Sequence, residues 1–143
     1  MATGPGFGTN VGWDFSYPND IDMSSNQFKF VTLGTDTYLD VCGAGLLALG
    51  IIQDNPNGAT ITGVMSQVRT GGVSKVGCGG TFSPGNLLSS DGSGLAVVYT
   101  AATVYTGTPY TVSGTQVLGI ANEPGAAGGG FSSMLFRPSG LSA

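Results

Sequence analysis

The chain has 143 residues, the length of one domain, and its 41% hydrophobic content is enough for a packed core, which excludes wholesale disorder. With four Lys and Arg residues and a net charge of −4, it cannot assemble the basic patch that a nucleic-acid-binding protein needs. No apolar run approaches the roughly 20 residues that cross a bilayer, and the N-terminus lacks the basic and apolar regions of a signal peptide. We therefore expect no nucleic-acid or membrane partner, and a protein made and used without secretion.

Charged residues make up only 8% of the chain, against about 25% in an average protein. Glycine is abundant at 26 residues, and Ser and Thr are frequent. This composition is typical of strands and turns. So few charges cannot keep a large free surface well solvated, so the composition predicts that a partner covers much of the protein.

Residues 1–26 differ from the rest of the sequence because neither a strand nor a helix period is sustained in them. Four aromatic residues are spaced along this segment: Phe7, Trp13, Phe15 and Tyr17. We interpret the segment as an extended N-terminal arm whose aromatic side chains bind the surface of a partner. The alternative is that the aromatic side chains fold back over the protein's own core.

Strand patterns begin at residue 27 and continue to residue 137, with Gly- and Pro-containing turns between them. The predicted strands are 27–33, 38–42, 47–52, 63–69, 73–76, 87–90, 95–99, 116–121 and 130–137. Residues 44–50 resemble a short helix, but they contain glycine and lack a cap, which favours a strand. Short strands at this spacing predict a single all-β domain over residues 27–143, a small barrel or sandwich of antiparallel strands.

Two local patterns refine this prediction. Asp91-Gly92-Ser93-Gly94 lies between two strand patterns and predicts a tight hairpin, because Asp and Gly tolerate the backbone of such turns. A weak internal repeat relates residues 49–69 to residues 118–137, which suggests one hairpin used twice in one barrel; a chance match of common turn patterns is the alternative. Residues 100–115 are rich in Thr and Tyr and indicate a loop or an irregular hairpin.

Catalytic chemistry finds little support in these residues. The chain has no His, which excludes Ser-His-Asp and Cys-His arrangements and leaves a zinc site almost nothing to be built from. The eight Asp and Glu residues lie mostly at predicted turns, where they form the turn and need no further role. We predict no catalytic residues, no metal site, no cofactor and no enzymatic activity.

The two cysteines, Cys42 and Cys78, are predicted to be reduced and partly buried, since the expected compartment disfavours disulfides. A disulfide is the alternative, and a metal-binding pair has no His and no CxxC motif to support it.

Five short patterns follow one another in a characteristic order from about residue 27 to residue 138. The first is the strand 28–31, and the second is the strand 49–51 with a Pro- and Gly-containing loop. The third is the segment 73–76 followed by Gly79-Gly80, and the fourth is the segment 83–87, which leads into 90–97. The last is the segment 117–121, followed by 125–128 and a terminal strand. In this order the chain resembles the capsid cement, or head decoration, proteins of tailed phages. It departs from them in its long arm and in residues 100–115.

The resemblance implies a non-enzymatic virion protein made in the host cytoplasm. It implies a small β-barrel that binds the major capsid protein on the outer surface of the shell and stabilises it, often as a homotrimer. Phe7, Trp13, Phe15 and Tyr17 are the residues that we expect to contact the capsid. The alternative is a carbohydrate- or host-surface-binding β module of a phage fibre or tail accessory, in which aromatic rings stack on sugars. Trp13, Tyr38, Tyr99, Tyr105 and Tyr110 are the candidates for that stacking.

Overall fold

The computed structural model describes residues 13–19, 21–56, 64–100 and 116–138. Within these ranges the chain forms ten β-strands and no helix, and the prediction of an all-β fold is confirmed. The strands are β1 (Asp14–Asn19), β2 (Phe30–Leu33), β3 (Leu39–Val41), β4 (Gly50–Ile52), β5 (Val64–Arg69), β6 (Gly72–Gly77), β7 (Leu87–Ser90), β8 (Ala96–Val98), β9 (Gly119–Ala121) and β10 (Phe131–Phe136).

The first five strands close into a barrel in the order β1-β3-β2-β4-β5. Four of the five pairings are antiparallel, and β1 pairs with β5 along its whole length, from Asp14 opposite Arg69 to Asn19 opposite Val64. The barrel closes through β1 and β3, which run parallel and meet at Asn19 and Leu39. A strand that touches one neighbour at a single residue is nearly an edge strand, which is where the Pro18 of β1 is tolerated.

The last five strands form a second, antiparallel sheet in the order β6-β10-β9-β7-β8. The predicted hairpin at residues 91–94 joins β7 to β8 and is confirmed, with the Asp91 carboxylate accepting hydrogen bonds from the backbone N–H groups of Ser93 and Leu95 at 2.8 and 2.9 Å. The repeated hairpin also exists, as β4 followed by β5 and β9 followed by β10. The prediction that both copies of the hairpin lie in one barrel is wrong, because the second copy lies in the second sheet.

Two groups of buried side chains hold the fold together. One fills the barrel and consists of Met23, Val31, Leu39, Ile52 and Val68. The other lies between the barrel and the second sheet, and Phe30 and Ile51 from the barrel meet Leu88, Met134 and Phe136 from the sheet within it. Since one cluster contains residues of both sheets, the barrel and the second sheet share a core.

Backbone hydrogen bonds join the two sheets around that shared core. The Phe30 N–H donates to the Gly94 carbonyl at 2.8 Å, and the Gly77 N–H donates to the Phe28 carbonyl at 2.8 Å. Gly94 has a φ of +76°, which favours glycine, and a Cβ there would lie 2.8 Å from the Phe30 carbonyl oxygen. The β7–β8 hairpin therefore packs directly against strand β2 of the barrel.

The prediction that residues 1–26 contain no strand is wrong for β1. This strand belongs to the barrel through its six pairs with β5. Tyr17 packs against the barrel core, and Met23 is part of that core. Its sequence includes Pro18 and Asn19, which are poor strand formers, so pairing with β5 rather than local preference makes it a strand. Residues 1–12, which include Phe7, and most of residues 100–115 lie outside the described residues.

Candidate interaction surfaces

The predicted capsid-binding residues occupy different environments. Trp13 is 75% exposed and Phe15 is 54% exposed, whereas Tyr17 is half-buried against the barrel core. Phe15 and Tyr17 lie on the same face of β1, and Trp13 comes directly before this strand. Trp13 and Phe15 are therefore more accessible to a partner than Tyr17 is.

Hydrogen bonds and an ion pair hold the backbone that carries Trp13 and Phe15. The Trp13 carbonyl accepts hydrogen bonds from the backbone N–H of Thr70 at 2.8 Å and from its hydroxyl at 3.2 Å. Between the two aromatic residues, Asp14 forms a two-point ion pair with the Arg69 guanidinium at 2.8 and 3.0 Å. The Arg69 guanidinium also donates to the Val73 carbonyl at 2.9 Å, so it links β1 and β5 to the first strand of the second sheet. The side chains are thus presented by a fixed backbone.

The outer face of the second sheet holds a row of apolar side chains that the sequence analysis missed. Val73 of β6 pairs with Leu135 of β10, Leu135 pairs with Ile120 of β9, and Ile120 pairs with Leu87 of β7. Val73, Ile120 and Leu87 remain 38–42% exposed. We call this row of four residues the apolar ladder. An antiparallel sheet with one solvated face usually carries polar side chains there, so the ladder departs from the ordinary pattern.

The sequence of strand β10 contains a pattern from which part of the ladder could have been predicted. Met134, Leu135 and Phe136 are consecutive apolar residues, and such a run is typical of a strand that is covered on both faces. Met134 and Phe136 fill the shared core, which leaves Leu135 on the outer face.

An aromatic pair lies on the same face of β10 as Leu135, four residues away along the strand. The Phe28 and Phe131 rings meet edge to face with their centroids 5.4 Å apart, and Phe131 is 60% exposed. The Lys75 ammonium lies 5.6 Å from the centre of the Phe28 ring, within the range of a cation–π interaction. Phe28 has a φ of +63°, a left-handed backbone that is uncommon for a bulky residue, and Ile52 and Gly77 hold it through backbone hydrogen bonds.

Contacts within the chain occupy backbone groups of both outer strands of the second sheet. On β6 the Val73 carbonyl accepts from Arg69, and the Gly77 N–H donates to Phe28. On β8 the Ala96 carbonyl accepts from the Gly79 N–H at 2.9 Å. These occupied groups disfavour the addition of a partner's strand at the two edges.

Both cysteines are buried free thiols in the shared core. Burial raises the pKa of the Cys42 thiol, an effect that a hydrogen bond from Ser90 partly offsets, and burial also raises the pKa of Cys78. Thiolate is the reactive form, so both groups are protected at neutral pH by protonation as well as by access. Because folding raises these pKa values, the two thiols do not lower the free energy of unfolding at neutral pH. That free energy falls at alkaline pH, where the thiols of the unfolded chain ionise before those of the folded protein.

We expect the folded protein to resist alkylation at neutral pH and to take up two alkyl groups when it is denatured without reductant. Intact mass before and after denaturation measures this. A denatured sample that gains no mass until reductant is added would show a disulfide and contradict the prediction that the thiols are reduced.

Other kinds of site find little support in the described ranges. Among these residues no group of three or more Asp, Glu or Cys is placed to hold a metal ion. No helix in this part of the chain has the length and apolar character of a membrane span. Of the tyrosines considered for sugar stacking, Tyr38 follows the β2–β3 turn of the barrel and Tyr99 follows β8 of the second sheet, while Tyr105 and Tyr110 lie outside the described residues. The structure therefore does not place Tyr38 and Tyr99 on one sheet.

Comparisons with known proteins identify a fold. No protein-family model matches the chain. No curated protein matches its sequence. Among solved structures the chain is similar to the N base of the head fiber protein gp8.5 of bacteriophage phi29, with a TM-score of 0.57 and 16% sequence identity. The match covers 89% of this chain and 95% of the phi29 chain, so the two share a fold across nearly their whole lengths.

Proposed function

We propose that the chain is a structural protein of a phage virion, which binds the major capsid protein on the outer surface of the head and stabilises the shell. The observation that carries the proposal is the fold shared with a phage head fiber base over 89% of the chain. The order of sequence patterns that resembles the capsid cement proteins points to the same part of the virion. The proposed location is the outer capsid surface, after synthesis in the host cytoplasm.

Binding to an assembled shell stabilises it through linkage, because a protein that contacts several capsid subunits binds the closed state and not the separate subunits. We propose that the protein acts there as a homotrimer, since several weak contacts made together give much tighter attachment than one. This role requires no catalytic residue, metal or cofactor, and we propose none.

A second candidate is the base of a head fibre, or a fibre module that binds carbohydrate or a host surface. The similarity to the phi29 protein favours the head fibre, since that protein is itself a fiber base. The number of copies per purified particle separates the candidates. A decoration protein that covers the lattice is expected in hundreds of copies, and a fibre or tail accessory in few.

Trp13 and Phe15 are the residues through which we expect the shell to be bound, together with Phe7. Replacing Trp13 and Phe15 with Ala is expected to weaken binding to purified heads that lack the protein by at least about tenfold. Burying one such ring contributes roughly 1.5–3 kcal/mol, and 1.4 kcal/mol corresponds to a factor of ten. Titration of the heads followed by sedimentation measures the affinity, and the melting temperature shows that the fold is kept.

The matched control replaces Leu46 and Leu47, two exposed apolar residues in the connection after β3, with Ala. This control is expected to bind like the wild type. Equal binding by the Trp13 and Phe15 variant would contradict the role of these two residues. A wild-type protein that fails to bind heads at all would contradict the proposed function itself.

A further inference from the structure

Two polar side chains lie inside the barrel. Asn19 of β1 is fully buried and pairs with Leu39, a residue of the barrel core. Ser66 of β5 is also fully buried and pairs with Tyr17, which packs against that core. Residues that pair across neighbouring strands lie on the same face of the sheet. The Asn19 and Ser66 side chains therefore both point into the barrel.

The polar atoms of both side chains lack a protein partner. In the ranges that the structure describes, Asn19 Nδ2, Asn19 Oδ1 and Ser66 Oγ are buried and form no hydrogen bond with any protein group. Unsatisfied groups of this kind destabilise a folded protein, and in native structures nearly all buried polar groups bond to protein or to ordered water. The three atoms therefore indicate a ligand that can both donate and accept hydrogen bonds.

The strand register makes the two side chains neighbours. β1 and β5 are antiparallel, with Asn19 opposite Val64 and Tyr17 opposite Ser66, so Asn19 and Ser66 are diagonal neighbours on one face. Diagonal neighbours lie roughly 7–8 Å apart, with their Cβ atoms somewhat closer. Two hydrogen bonds of about 2.8 Å through one oxygen atom cover most of that distance, and the side chains cover the rest. A single small molecule can therefore bridge Asn19 and Ser66.

The width and the chemistry of the barrel interior identify this molecule. A barrel of about eight strands is just wide enough for side chains to fill, and this barrel has five. We propose that an ordered water molecule is bound inside the barrel, where it bridges Asn19 and Ser66. Water both donates and accepts, as an amide and a hydroxyl require, and a buried water typically makes about three hydrogen bonds. Asn19 is also the residue through which β1 meets β3, so the water stabilises the strand that closes the barrel. This site is independent of capsid binding.

The direction in which Ser66→Ala changes stability tests the site. The substitution removes one partner of the bound water and is expected to raise the equilibrium constant of unfolding about five- to tenfold. Without the water, the Ser66 hydroxyl would be an unsatisfied group, and its removal would lower that constant. Ser16→Ala removes an exposed serine from the outer face of β1 and is expected to change the constant by about twofold or less. Denaturant titration of the full-length protein measures both, and a constant that falls or stays unchanged in Ser66→Ala would overturn the proposal.

Nuclear magnetic resonance of the wild-type protein detects the water directly. We expect nuclear Overhauser effects between the side-chain amide protons of Asn19 and water, with the sign of a long-lived complex. The side-chain amide of Asn122, which is exposed, is the matched control, because its contacts with surface water are short-lived and are expected to give no such signal. A spectrum in which Asn19 shows no effect, or one no stronger than that of Asn122, would overturn the proposal.

Discussion

Replacing Gly119 with Ala is expected to lower the free energy of unfolding by about 3 kcal/mol or more, at the upper end of the cost of overpacking. A Cβ at Gly119 would lie 2.0 Å from the Leu135 carbonyl oxygen and 2.6 Å from the Met134 methyl carbon. The first of these is a backbone atom of the paired strand, so β9 would have to move away from β10. Chemical denaturation followed by circular dichroism measures the change. In the barrel, a Cβ at Gly50 would lie 2.4 Å from the Arg69 carbonyl oxygen. We therefore expect Gly50→Ala to lower the free energy of unfolding by a similar amount.

Gly92→Ala is the matched control for both variants. Gly92 lies in the β7–β8 hairpin, and a Cβ there would meet no atom within 4 Å. We expect a change of about 0.5 kcal/mol or less, as for most surface substitutions. A Gly119→Ala protein as stable as the Gly92→Ala protein would show that β9 and β10 do not approach as closely as the structure describes.

Replacing Phe30 with Ala is expected to lower the free energy of unfolding by about 3–5 kcal/mol, the cost of removing a buried aromatic ring and leaving a cavity. The Phe30 ring is fully buried, and its centroid lies 6.2 Å from that of Phe136 in the second sheet. Its loss therefore weakens the shared core and the contact between the two sheets together. The expected result is a single, earlier unfolding transition in the denaturant titration.

Phe15→Ala provides the comparison for Phe30, because the same side chain is removed from a position that is half exposed. Its expected cost is about 1 kcal/mol, since partly exposed rings lose less burial. Two separate transitions in the Phe30→Ala protein would contradict a shared core, because they would mean that the barrel and the second sheet unfold independently.

Local sequence patterns were sufficient to predict the β class and the positions of most strands. Alternation at residues 38–42 and the Asp-Gly turn at residues 91–94 are local properties, and the structure keeps both as strand β3 and as the β7–β8 hairpin. Several strands are shorter than predicted. Residues 47–49, for example, stay outside β4, although the Leu49 N–H still donates to the Val31 carbonyl of β2.

The division of the strands between two sheets, and the exposure of individual residues, depend on contacts between distant parts of the chain. The two copies of the repeated hairpin have similar sequence patterns, but the strands that pair with them come from distant parts of the chain. Local patterns therefore cannot assign each copy to a sheet. Strand β1 exists because β5 offers a complete row of partners, against the local preference of Pro18 and Asn19. The apolar ladder likewise required the register of four strands, because cross-strand pairing, not spacing along the chain, brings Val73, Leu135, Ile120 and Leu87 into one row.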